Sequence, residues 1–104
     1  MSLCDDLKIY DGYIDVRDFD YLVQCFDPPG NEALDELKVG DCVEVNHNGE
    51  RFWTKVVEIC KVCDIVGVVL SNLVFDHPFT TGDNIKFARW NVYSIDKECV
   101  KWRL

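Results

Sequence analysis

The chain has 104 residues, 48% of them apolar and 29% charged, with a formal net charge of −8. That length builds one domain with one core, and the balance excludes a disordered or collagen-like chain. No apolar run approaches the ~18 residues of a spanning helix.

The charge is unevenly placed: residues 1–50 carry thirteen acids against three bases, and residues 51–104 six against eight. An acidic first half repels nucleic acid and anionic lipid at long range. The start, MSLCDDLKIYDG, has neither a basic nor an apolar leader segment. The expectation is therefore a cytoplasmic, reducing location, or a virion component, with six cysteines held as thiols. Cys25 and Cys42, inside apolar runs, are expected as small core hydrophobes.

In chain order, residues 1–13 read as a short strand or arm tethered by Leu7, Ile9 and Tyr10. Residues 14–27 fit two patterns, a helix through about Val23 capped by Asp15 or a strand buried on both faces. Pro28-Pro29-Gly30 ends either one. Asn31 can cap a short helix over NEALDELK, with Ala33, Leu34 and Leu37 inward. Residues 1–36 thus form an acidic extension with short helices, and residues 37–104 a β-barrel core of one domain.

That core begins with LKVGDCVEV-NHNGE-RFWTKVVEI, a hairpin around Asn48-Gly49, a pair that tolerates the positive φ of tight turns. Strands are predicted at Cys42–Asn46 and Arg51–Ile59, the latter with Phe52, Thr54 and Val56 on one face and Trp53, Lys55 and Val57 on the other. Further strands are predicted at Ile65–Leu70, after the second Gly-Asp, at Trp90–Ile95, and at Val100–Leu104 as an edge. LVFDHPF is expected to run extended, and Phe52, Phe75, Phe87 and Tyr93 to fill the core. FTTGDNIKF repeats the pattern of LKVGDCVEV, which predicts one turn type used twice, glycine at a left-handed position and aspartate bonding nearby backbone. The fold class is mainly β, a small antiparallel SH3-like or OB-like barrel or a strongly bent sheet.

The segments GERFWTKVVEI, DIVGVVLSNLVF, GDNIKF and NVYSI resemble the YegJ-like family of small bacterial and viral β domains. The resemblance covers about residues 37–95. It implies a β fold of unknown function and brings no catalytic residue or cofactor.

Candidate chemistry is sparse. Cys60-Lys61-Val62-Cys63 has the spacing of half a zinc knuckle, with no second half to complete four ligands. His47, in a polar turn, and His77, before Pro78, are expected in solvent, and no neighbourhood suggests an oxyanion hole for a Cys–His nucleophile. The acidic clusters lack calcium-loop spacing. Trp53, Arg89-Trp90 and Lys101-Trp102-Arg103 place indoles beside cations, a composition found in protein interfaces and in single-strand nucleic-acid platforms. The acidity favours a protein partner or self-association over nucleic acid. The sequence thus predicts a non-enzymatic interaction or assembly module with no cofactor. Its alternatives are a nucleic-acid or small-ligand module on the Trp/Arg surface and a zinc-binding domain using Cys60 and Cys63.

Overall fold

A computed structural model of the chain describes residues 3–16, 31–60 and 64–97. Among these residues two short helices, α1 (Leu3–Asp6) and α2 (Asn31–Asp35), precede five strands: β1 (Cys42–His47), β2 (Glu50–Ile59), β3 (Asp64–Val69), β4 (Asn84–Ala88) and β5 (Val92–Asp96). All pair antiparallel in one sheet of order β4-β3-β2-β1-β5. The mainly β expectation holds. The sheet does not close into a barrel, and register shifts in β1 at Glu44/Val45 and in β2 at Val56/Glu58 interrupt its ladders. The region 14–27, apart from its first three residues, and the proposed strand Val100–Leu104 lie outside the described residues.

The Asn-Gly hairpin forms as its chemistry requires. His47 pairs with Glu50 across a two-residue loop, with φ of 54° at Asn48 and 90° at Gly49. Inward positions then alternate along β1 and β2, and Val43, Val45, Phe52 and Val56 are at most 1% exposed. Ile65, Val69, Ile85, Phe87 and Val92 complete the core, with Tyr10, Tyr13 and Leu34 packed against it.

The repeated Gly-Asp motif builds the same corner twice. The Asp41 amide donates to the Lys38 carbonyl and the Asp83 amide to the Thr80 carbonyl, closing four-residue turns whose glycines have φ of 103° and 92°. Asp41 Oδ2 accepts from the Lys38 amide, as Asp83 Oδ2 does from the Thr80 amide. Each Gly-Asp pair then opposes a single valine. The amide of Gly40 donates to Val56 O while the Val56 amide donates to Asp41 O, and Gly82, Asp83 and Val69 do likewise. Two residues facing one, with a left-handed glycine first, is a β-bulge, and it starts β1 against β2 and β4 against β3.

Three expectations need correction. Phe75 is 53% exposed, because Leu73–Pro78 forms an irregular loop that turns the chain back so that Phe79, 7% exposed, enters the core instead. α2 stops at Asp35, and Leu37 reaches the core from the tighter turn that follows, its amide bonded to the Leu34 carbonyl. The cysteines are not all thiols. Cys4 is joined to Cys60, their Cα atoms 5.7 Å apart, and Cys42 is disulfide-bonded as well as fully buried. α1 lies over the end of β2, where the Leu3 amide donates to Glu58, and so brings two sequence-distant cysteines within bridging range. Disulfides persist in oxidising surroundings, which removes the ground for inferring a reducing cytoplasm from these residues. Among the described residues no helix is long and apolar enough to cross a membrane.

Gly67 on β3 has a packing reason to be glycine. A Cβ there would lie 2.7 Å from Thr54 Oγ1 and 2.9 Å from Thr54 Cβ, a buried β-branched side chain whose hydroxyl donates to the Val43 carbonyl. Thr54 has no room to yield. Gly67→Ala should therefore destabilise by about 1–3 kcal/mol through overpacking. Urea denaturation would show it, and an unchanged midpoint would mean that β2 and β3 are not packed this closely.

Candidate functional site

The inward parity that buries Val43 and Val45 continues to the last residue of β1, which is His47. It is 1% exposed and carries the sheet's core face up to the hairpin tip. His77, delivered by the loop between β3 and β4, meets it there, with Nδ1 to Nδ1 at 2.8 Å. The His77 side chain is wholly buried. Around the two imidazoles stand the rings of Tyr13 (4.8 Å between centroids, edge-on to His47), Phe52 (5.8 Å, edge-on to His77) and Phe79 (5.1 Å, stacked on His77).

The remaining nitrogens are also engaged. His47 Nε2 lies 2.8 Å from the Asp11 carbonyl oxygen, and His77 Nε2 lies 2.7 Å from Glu50 Oε1. These partners fix the protons. A carbonyl only accepts, so His47 carries its proton on Nε2 and donates it to Asp11. Neutral His47 then offers the Nδ1 lone pair, and His77 must donate from its own Nδ1. Glu50 is a carboxylate, because Oε1 also accepts from the Phe75 amide and Oε2 from the Val74 amide, both at 2.8 Å. His77 Nε2 therefore donates as well, so each Nε2 holds a proton and one further proton is assigned between the two Nδ1 atoms.

The electrostatics agree with this count. Burial pushes the His47 pKa down from 6.5 and the His77 charge adds to the fall, against the Asp11 hydrogen bond, which raises it. For Glu50, burial acts upward but is outweighed by the His77 hydrogen bond and the two backbone amides, so its pKa is lowered. Tyr13 is raised well above its usual value, first by burial and then by Tyr10, and its hydroxyl is buried with no hydrogen-bond partner among the described residues.

Chemically the cluster can hold and move a proton, and it anchors a loop. Among the described residues no cysteine or serine side chain is a partner of the cluster. Among the described residues no three His, Cys, Asp or Glu side chains are arranged to hold a metal ion, since the histidine nitrogens face each other and their hydrogen-bond partners. Glu50 fixes the backbone of Val74 and Phe75, which stand 82% and 53% exposed at the loop's outer side.

The expectation of solvated histidines is therefore overturned by β1 parity for His47 and by loop closure for His77. Parity from Val43 was a usable signal, but the polar run NHNGE masked it. Nothing local to Asp76-His77-Pro78 signals burial, because the hydrogen-bond partners of His77 come from β1 and β2.

The Trp and Arg residues singled out in the sequence fall in different places. Trp53, half-buried on the outer face of β2, lies opposite Glu44 in register, and its carbonyl accepts from the Leu70 amide. Arg89 and Trp90 follow β4 at the other end of β3, where Asp64 pairs with Ala88, roughly 20 Å away along the strand. Arg89 is ion-paired with Asp35 at 2.9 Å. Beside Trp53 the outer face instead gathers Arg51, which pairs with Glu44 at 2.7 Å and stands over the Tyr93 ring at 5.0 Å. Lys101, Trp102 and Arg103 lie outside the described residues, as does Cys63, while Cys60 is held in its disulfide.

No protein-family model, no curated protein and no solved structure matches the chain, so the YegJ-like resemblance receives no support from these comparisons.

Proposed function

We propose that this chain is a non-enzymatic protein-interaction module that docks through the Leu73–Pro78 loop, with Val74 and Phe75 as its apolar contact. The observation that supports this reading is the combination of exposure and fixation. Two adjacent large apolar side chains stand in solvent while their amides are held by one carboxylate. A contact already fixed in one conformation loses less entropy on binding, and exposed aromatics are frequent anchors of interfaces. Neighbouring Asp76 and the overall charge of −8 suit a partner surface with a basic rim.

In architecture we read the sheet as SH3-like. Four strands meander, the fifth returns to pair with β1, and a 3-10 turn at Arg89–Asn91 precedes it. Such a scaffold hosts many functions and selects none, so the docking reading rests on the loop.

The test is a Val74→Ser, Phe75→Ser double variant. Both side chains are exposed, so its circular dichroism and melting should match the parent protein. Association seen by sedimentation velocity, or retention of a partner in a pull-down, should fall at least about tenfold, the loss expected when an interface anchor is truncated. Equal association by parent and variant would overturn the reading.

A further inference from the structure

The two imidazoles have no spare acceptor for one more proton. His47 Nδ1 is its only free imidazole lone pair, and that lone pair accepts the His77 Nδ1 proton at 2.8 Å. Protonating it would set two N–H groups head to head, their hydrogens less than ~1 Å apart, and bring a second buried cation against the first. The groups facing His47 offer one compensating charge. The N-terminal segment presents the Asp11 carbonyl and the Tyr13 ring, with Tyr10 behind it. β2 presents Glu50, directly across the hairpin, and the loop presents His77 and Phe79. Among the described residues Glu50 is the one carboxylate facing the pair, and His77 already uses it.

We propose that His47 and His77 form a proton-operated latch: a single added proton on His47 undocks the Leu73–Pro78 loop from the sheet. His47 belongs to β1 and cannot leave without breaking the ladder, whereas His77 is carried by an irregular loop, so separation moves the loop. Moving His77 also pulls on Glu50, which holds the Val74 and Phe75 amides. The docking contact therefore loses its fixed shape when the latch opens. This consequence rests on the docking reading; the latch itself does not.

The sign follows from proton binding. The closed state keeps His47 neutral below its ordinary value, so it binds fewer protons than the open or unfolded state. Protonation does not oppose closure well above pH 6.5; as pH falls below that value the equilibrium constant for closure falls, by up to about tenfold per pH unit, until His47 titrates in the closed state too. Glu50 works in the same direction at lower pH.

Amide hydrogen exchange at Val74 and Phe75, corrected for intrinsic rates, reads the latch without any partner. Between about pH 7.5 and about pH 5.5 both amides should lose protection severalfold, up to about tenfold, while the Val56 amide, bonded to Asp41 O, stays protected. His47→Gln supplies a carbonyl for His77 and an NH2 for Asp11 but cannot take up a proton, so it should stay protected at both values. Equal protection of the parent protein at both pH values overturns the latch, as does a His47→Gln variant that opens like the parent. Should that variant not fold, imidazole nitrogen shifts of the parent protein decide. His47 must be neutral with its proton on Nε2 at the higher pH and become doubly protonated as the loop opens; a His47 that stays neutral while the amides open overturns the latch. Failure of the docking reading would appear only in the association measurements of the Val74→Ser, Phe75→Ser variant.

Discussion

Replacing Cys4 and Cys60 together by serine is expected to lower stability by about 4 kcal/mol, read as a shift of the urea midpoint. The bond closes a loop with a sequence separation of 56, and restraining a loop of that length in the unfolded chain accounts for about that amount. The folded state loses attachments as well. With the bond in place, the Leu3 amide donates to Glu58 at 2.9 Å and Lys86 Nζ donates to the Cys4 carbonyl at 2.7 Å. Ile9 then forms a parallel bridge with Lys86 on β4, an edge strand of the sheet. Releasing residues 3–9 would uncover backbone donors and acceptors there, and uncovered edges recruit other chains. The serine variant should thus be less stable and more prone to concentration-dependent association. A stability loss under about 1 kcal/mol would show that the bond constrains little.

The second large effect concerns Phe52, where core and site share a ring. Phe52 is 1% exposed, pairs across the hairpin with Val45, and lies 5.7 Å from Phe79 and 5.8 Å from His77 between centroids. Phe52→Ala should cost about 3–5 kcal/mol, the lost burial plus the cavity left behind. Phe87→Ala, on the fully buried Phe87 of β4, should cost a similar amount. The two variants should differ at the loop. Removing Phe52 lets water reach the His77–Glu50 pair and weakens its hold on Val74 and Phe75 even at neutral pH, since exposed ion pairs contribute little. Phe87 is not in ring contact with His77, so its loss should leave those amides protected. Equal loop protection in both variants would show that Phe52 does not seal the cluster.

The sheet was legible because its signals are local. Asn48-Gly49 specifies a two-residue turn, and the alternation of Phe52, Thr54 and Val56 with Trp53, Lys55 and Val57 places one face inward. Both Gly-Asp corners also follow from neighbours within four residues, since the aspartate bonds an amide three positions earlier and the glycine supplies the positive φ. The site was much less legible. His47 could be placed by counting parity from Val43, but its polar surroundings in NHNGE argue for solvent when read as composition. Phe75 and Phe79 look interchangeable as apolar residues in one segment, yet one is exposed and the other buried.

By itself the sequence determined a mainly β fold, its hairpin, its two Gly-Asp corners and most of its core, because turn preference and side-chain alternation act over a few residues. Only the tertiary structure decided that His47, Glu50 and His77 share protons, that Cys4 meets Cys60, and that Val74 and Phe75 stand fixed in solvent. Each of these depends on bringing together groups from separate segments of the chain. Hydrogen bonds and disulfides act over a few ångströms, and which distant groups come that close is set by the closure of loops and by the packing of the whole core.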